Sequence, residues 1–83
     1  MARPWRLDPS VALRDEEFGA LAYHYGTRRL VFLKSRDLVD LVRSLDDHPS
    51  AAAAIEACVG AEQFDRYEAA LAHLALSEVI CAR

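Results

Sequence analysis

Among the side chains of this sequence that could do chemistry, His24, His48 and His73 could ligate a metal or move a proton, and Cys58 and Cys81 could act as nucleophiles or ligands. Their spacing supports neither use. No histidine has a cysteine or carboxylate at metal-ligand spacing, and the three-cysteine cluster of a radical-generating iron–sulfur centre is absent from the sequence. His48, beside Pro49, falls in a helix-start loop, and His73, six residues after Tyr67, falls on an exposed helix face. His24 reads as a satisfied surface group on a sheet. The pairs Glu16–Glu17 and Asp46–Asp47 read as solvated turn charges rather than acid and base. Cys58 and Cys81 stand 23 apart outside any CxxC pair, too thin a framework for a secreted mini-protein, and are expected to be reduced. Cys58 reads as a small buried hydrophobe and Cys81 as a tail residue. No catalytic residue, metal or cofactor is expected, and the chain reads as a binding protein rather than an enzyme.

A second chemistry is recognition by charge. Arg28, Arg29, Lys34 and Arg36 place four of the ten basic residues within nine positions, around the apolar run Leu30 to Leu33, in a chain of net charge -3. The overall acidity argues against general nucleic-acid binding, which needs a basic excess to displace counterions from phosphates. A local basic field would instead steer an acidic partner. With 83 residues and 53% hydrophobic content, residues 1–83 suit one domain with one core. No apolar run approaches the roughly 18 residues of a membrane span and no secretory signal pattern is present, so a cytoplasmic protein with no membrane partner is expected.

The elements that must position these residues run strands first, helices after. Residues 1 to 10, with Pro4, Trp5 and Pro9, suit an irregular lead-in. Val11 to Arg14 alternates, Asp15 to Glu17 turns, and Phe18 to Tyr25 is rich in aromatics. Tyr25-Gly26-Thr27-Arg28 predicts a two-residue type II′ turn with Gly26 at positive φ. Counting outward pairs Tyr25 with Arg28, His24 with Arg29, Tyr23 with Leu30, Ala22 with Val31, Leu21 with Phe32 and Ala20 with Leu33. Of the two faces this makes, the bulky one (Leu21, Tyr23, Leu30, Phe32) is expected to meet the helices, leaving the lighter one, with His24 and Arg29, outside. Ser35 caps a predicted helix over 36–45 burying Leu38, Leu41, Val42 and Leu45. Ser50 caps a second, from Ala51 to Val59, burying Ile55, Cys58 and Val59 and ending at Gly60. A third, from Glu62 to Leu76, buries Phe64, Tyr67, Leu71 and Leu74, and Ser77 to Cys81 folds back as an apolar tail. The expectation is an α+β, winged-helix-like domain: an N-terminal three-stranded antiparallel sheet followed by three α-helices.

Short connections make the sheet a meander with its third strand at the edge, unless the tail covers it. An uncovered edge offers unpaired N–H and C=O groups to an extended peptide, which gains main-chain hydrogen bonds there and specificity from alternate side-chain positions. With Arg28, Arg29, Lys34 and Arg36 beside it, the expected ligand alternates apolar and acidic residues.

The three-strand, three-helix order resembles the peptide-recognition elements of ribosomal peptide natural-product pathways, typified by the pyrroloquinoline quinone biosynthesis protein D. The run LDPSVALRDEEFGALAYHYGTRRLVFLKSRDLVDLVRSL, Leu7 to Leu45, is similar to the mycofactocin-system (MftB) branch of that family. The resemblance covers about Trp5 to Cys81. It implies a non-enzymatic chaperone that binds the leader of an acidic precursor peptide and delivers it to a radical S-adenosylmethionine (radical SAM) maturase. It also implies that the leader lies as an added strand between the third strand and the third helix. Carried onto this sequence, the strand side is Arg28, Arg29, Leu30, Val31, Phe32, Leu33 and Lys34; the helix side is Gln63, Arg66, Tyr67, Ala70 and Leu74.

Two other readings compete. A winged-helix DNA-binding regulator needs a recognition helix rich in Arg, Lys, Asn or Gln, yet Ala51 to Val59 has none and the third helix offers only Gln63 and Arg66 among acidic residues. A homodimeric scaffold is the other, since a bare edge strand can pair with its own copy across a two-fold axis.

Overall fold

Serine and glycine punctuate the helical half of the chain as the sequence requires. In the computed structural model, which describes residues 3–83, the Ser35 hydroxyl accepts the Leu38 N–H at 3.1 Å and opens α1, Arg36–Ser44. Ser50 does the same for Ala53 at 3.1 Å and opens α2, Ala51–Cys58. Gly60, at φ 84°, stops α2 with its N–H on the Ile55 carbonyl, where a side chain would be strained. A 3₁₀ turn at Ala61–Gln63 leads into α3, Phe64–Leu76, and another at Leu45–Asp47 follows α1.

The strands are β1 (Trp5–Leu7), β2 (Val11–Glu16), β3 (Gly19–His24), β4 (Leu30–Leu33) and β5 (Ile80–Ala82). β2, β3 and β4 form the antiparallel meander, with β4 at its edge. The lead-in, expected to be irregular, instead pairs with the tail, expected to fold back as an apolar segment: Trp5 faces Ala82 and Leu7 faces Ile80 in a separate two-stranded sheet. The fold is α+β with antiparallel sheets and three helices.

The β3–β4 register agrees with the count from the turn, from Tyr23–Leu30 to Ala20–Leu33. The turn itself does not. The His24 N–H bonds the Arg29 carbonyl at 3.0 Å and the Arg28 N–H bonds the His24 carbonyl at 2.7 Å, closing a four-residue loop over residues 25–28. Its left-handed residue is Arg28, at φ 60°, and Gly26 is not at positive φ. The cause is the imidazole: His24 Nδ1 accepts the N–H groups of both Gly26 and Thr27 at 3.0 Å, satisfying donors that a two-residue turn would leave to solvent.

The two sheet faces are the reverse of the expectation. Ala20, Ala22 and Leu33 are fully buried against the helices, whereas Leu30 and Phe32 are 62% and 58% exposed. Bulk misleads here because α1 sits close on the sheet. The alanines of β3 leave room for Val39, Leu41 and Val42 of α1, all fully buried, and large side chains at both surfaces would overfill that layer. Of the predicted α1 stripe Leu41, Val42 and Leu45 are fully buried and Leu38 only partly so, with Val39 joining them in the core. α2 buries Ala51, Ala54 and Ile55 and leaves Cys58 exposed, contrary to its reading as core. In α3 Tyr67, Leu71 and Leu74 are buried and Phe64 only partly so.

Candidate functional site

The open flank of β4 follows from pairing alternation. His24 and Arg29 form a hydrogen-bonded pair, so Ala22–Val31 and Ala20–Leu33, two and four steps along the ladder, are bonded as well. The N–H and C=O groups of Leu30 and Phe32 therefore point away from β3, toward the edge.

Facing that edge is α3. A groove of about 490 Å³ runs between them, lined on the strand side by Leu30, Val31, Phe32 and Lys34 and on the helix side by Ala70, His73 and Leu74, with Leu38 of α1 and Ser77 completing it. A narrower cleft of about 160 Å³ continues it past Lys34 and Ser35 to Arg66 and Tyr67. Leu38 and Ala70 line both. α3 therefore runs opposite to β4, with Arg66 beside the Lys34 end and Ser77 beside the Leu30 end.

The two ends are basic. Arg28 and Arg29 precede Leu30, are exposed, and carry no ion pair among the described residues; Lys34, equally exposed, closes the other end with Arg66, whose guanidinium lies 5.8 Å from the centre of the Tyr67 ring. Arg36 is engaged elsewhere: it bonds Asp15 and the Gly19 carbonyl, both at 3.4 Å, while Arg43 bonds Asp15 at 2.9 Å. The middle of the groove is apolar.

Of the residues singled out from sequence, Leu30, Val31, Phe32, Lys34, Arg66, Tyr67, Ala70 and Leu74 are brought together in this groove. Arg28 and Arg29 flank it from the hairpin tip, Leu33 lies in the core, and Gln63 sits in the 3₁₀ turn before α3 outside the lining. Leu38, His73 and Ser77 lie beyond the residues expected from sequence. His73 and Ser77 extend the Ala70–Leu74 stripe at helical spacing, a signal present in the sequence; Leu38 borders the groove because it is only partly buried. Among the described residues no group of three His, Cys, Asp or Glu could hold a metal ion, and no helix is long and apolar enough to cross a membrane.

The family model described as the peptide chaperone MftB family matches residues 4–81. The chain belongs to that family. Family relatives, each named peptide chaperone MftB, include one from Mycolicibacterium smegmatis, 59% identical over 51 residues, which are 61% of this chain and 50% of that protein. Another, from Mycobacterium ulcerans, is 56% identical over 55 residues, 66% of this chain and 50% of its own length. A third, from Mycobacterium tuberculosis, is 45% identical over 83 residues, 98% of this chain and 75% of that protein. The match thus spans half the length of the first two relatives. No solved structure matches the chain. Within the MftB family match fall both walls of the groove, from Leu30 to Ser77.

Proposed function

We propose that this chain is a non-catalytic peptide chaperone of mycofactocin biosynthesis. It binds the leader of a ribosomally made precursor peptide as a strand added to β4, between β4 and α3, and presents it to a radical SAM maturase. The observation that carries this reading is the coincidence of an unpaired strand edge with an apolar groove whose far wall is a helix. Membership of a family of peptide chaperones supports the same conclusion. The peptide-binding residues are Leu30, Val31, Phe32, Lys34, Leu38, Arg66, Tyr67, Ala70 and Leu74, with Arg28 and Arg29 steering an acidic leader by long-range attraction.

A nucleic-acid role finds no support in the middle helix, whose exposed positions are Glu56, Ala57 and Cys58. Titrating the isotope-labelled chain with the precursor leader, followed by amide resonances, tests the proposal. The expected result is saturable shifts concentrated at Leu30 to Lys34 and along the Ala70 face of α3. Shifts confined to β1 and β5, or none at millimolar peptide, would remove it.

A further inference from the structure

The reversed sheet faces change what an added strand must look like. On β4 the side chains of Leu30 and Phe32 point outward, on the side of the sheet away from the helices, while Val31 and Leu33 point inward. A strand paired to β4 places its alternate residues on the same two sides. Its outward residues lie beside Leu30 and Phe32, next to Phe18, which is 44% exposed and holds the Phe32 ring edge-on at 5.8 Å. Its inward residues lie over Leu38, Ala70 and Leu74. Lys34 stands beside Phe32 at one end of the outward wall and His73 and Ser77 at one end of the inward wall; between these ends both walls are apolar. An acidic residue at every second position would put a carboxylate against Leu30 and Phe32, or against Leu38, Ala70 and Leu74, between the cations rather than beside them.

We infer, resting on strand addition at β4, that the occupant is an extended segment with an unbroken run of about four apolar residues, bounded at each end by acidic ones. The length is set by β4, whose four residues span roughly 13 Å at 3.3 Å each. The acidic ends are set by Arg28 and Arg29 at one end of that span and by Lys34 and Arg66 at the other. Phe32 and Leu38 are the specificity-determining residues, reading opposite parities of the run. This replaces the alternating apolar and acidic pattern expected from the basic residues Arg28, Arg29, Lys34 and Arg36 beside the edge.

Two capped synthetic peptides of identical composition make the test, titrated into the full chain. One is blocked, Asp-Glu-Leu-Val-Ile-Leu-Glu-Asp; the other alternates, Leu-Asp-Val-Glu-Ile-Asp-Leu-Glu. The blocked peptide is expected to bind at least about tenfold more tightly, because it alone removes both walls from water without burying carboxylates. Phe32→Ser is then expected to weaken it by at least about tenfold while the chain stays folded at the titration temperature, the loss of the edge-on Phe18 contact lowering the melting temperature by only a few degrees. Equal affinities, with shifts still at Leu30 to Lys34, would overturn the two-walled pattern and leave strand addition standing. Failure of both peptides, while the natural leader binds at β4, would likewise overturn the pattern alone. Failure of all three would overturn both. A dimer that persists at saturating blocked peptide would assign the edge to a second copy of the chain, and that too overturns the inference.

Discussion

Phe32→Pro separates the main-chain contribution of the β4 edge from its side chains. The Phe32 N–H faces away from β3, so proline there removes no bond of the β2–β3–β4 ladder, and edge positions are where strands tolerate proline. A strand docked along Leu30 and Phe32 can use two N–H and two C=O groups, about four hydrogen bonds. Losing one forfeits about 1 kcal/mol net, and a ligand carbonyl left unsatisfied against the edge brings the total to about 1.5–3 kcal/mol. That corresponds to a loss of affinity of about 10- to 150-fold. The reference is Phe32→Ala, which removes the ring but keeps the N–H, so the ratio of the two dissociation constants isolates the bond. Isothermal titration with the precursor leader reads that ratio, and thermal unfolding checks that both variants fold, with melting temperatures expected within about 4 °C of each other. Val31→Pro is the contrast: its N–H bonds inward to Ala22, so proline costs about 3 kcal/mol of stability and about 12–24 °C in melting temperature. Equal leader affinity for folded Phe32→Pro and Phe32→Ala would refute main-chain pairing at this edge.

Three further outcomes follow from the same geometry. Gly19→Ala places a Cβ onto the Leu33 carbonyl oxygen and near the Ser35 N–H, at a φ of 148° that side chains avoid; both neighbours are backbone, so a loss of about 2–4 kcal/mol is expected in a circular-dichroism melt. Ser35→Ala removes the N-cap of α1 and should cost about 1 kcal/mol by the same measurement, with leader binding kept at temperatures where the variant is folded. Reversing Arg29 and Lys34 to Glu together should leave the melt unchanged, weaken the acidic leader by less than about 1 kcal/mol per charge, and flatten the salt dependence of its affinity, checked by titration at two ionic strengths.

The strand order, the β3–β4 register and the starts of α1 and α2 were legible because each rests on a local rule: pairing period, N-cap hydroxyl, terminal glycine. The groove's strand wall followed from them. What was not legible depended on contacts distant in sequence. Bulk alone ranks Leu21, Tyr23, Leu30 and Phe32 as the inner face, yet Ala20 and Ala22 are interior because α1 fills the layer above them. Leu38 borders the groove because Val39 shares the core layer with Leu41, Val42 and Leu45, leaving Leu38 only partly buried. The hairpin tip carries a two-residue signal at Gly26, but His24 Nδ1 captures two backbone donors and selects a longer loop. β1 and β5 are three residues each, and the paired residues Leu7 and Ile80 stand 73 positions apart in sequence, so no local pattern announces their pairing. The exposed Cys58 shows the converse case, an apolar residue type whose helix face looks outward.

The pairing of β1 with β5 also keeps the segment after α3 off β4: Ile80–Ala82 pair with Trp5–Leu7 rather than turning back along the open edge. Val79 and Ile80 are fully buried, the Val79 carbonyl accepts the Asp8 N–H at 2.9 Å, and the Arg83 N–H bonds the Pro4 carbonyl at 3.1 Å. The Arg83 guanidinium adds a clamp, donating to the Asp46 carboxylate and carbonyl at 2.8 Å and to the His48 carbonyl at 2.9 Å. Taking this segment to β4 would exchange two buried aliphatic side chains, about 1.5–3 kcal/mol each, for hydrogen bonds worth about 1 kcal/mol each. The exchange is unfavourable unless the incoming strand covers Leu30 and Phe32 as well. A three-residue strand with Cys81 between Ile80 and Ala82 offers little area for both walls, whereas a foreign segment apolar on both sides covers them without unmaking any part of the core. The relative strength of these two associations therefore keeps residues 80–82 paired with β1 and off the β4 edge.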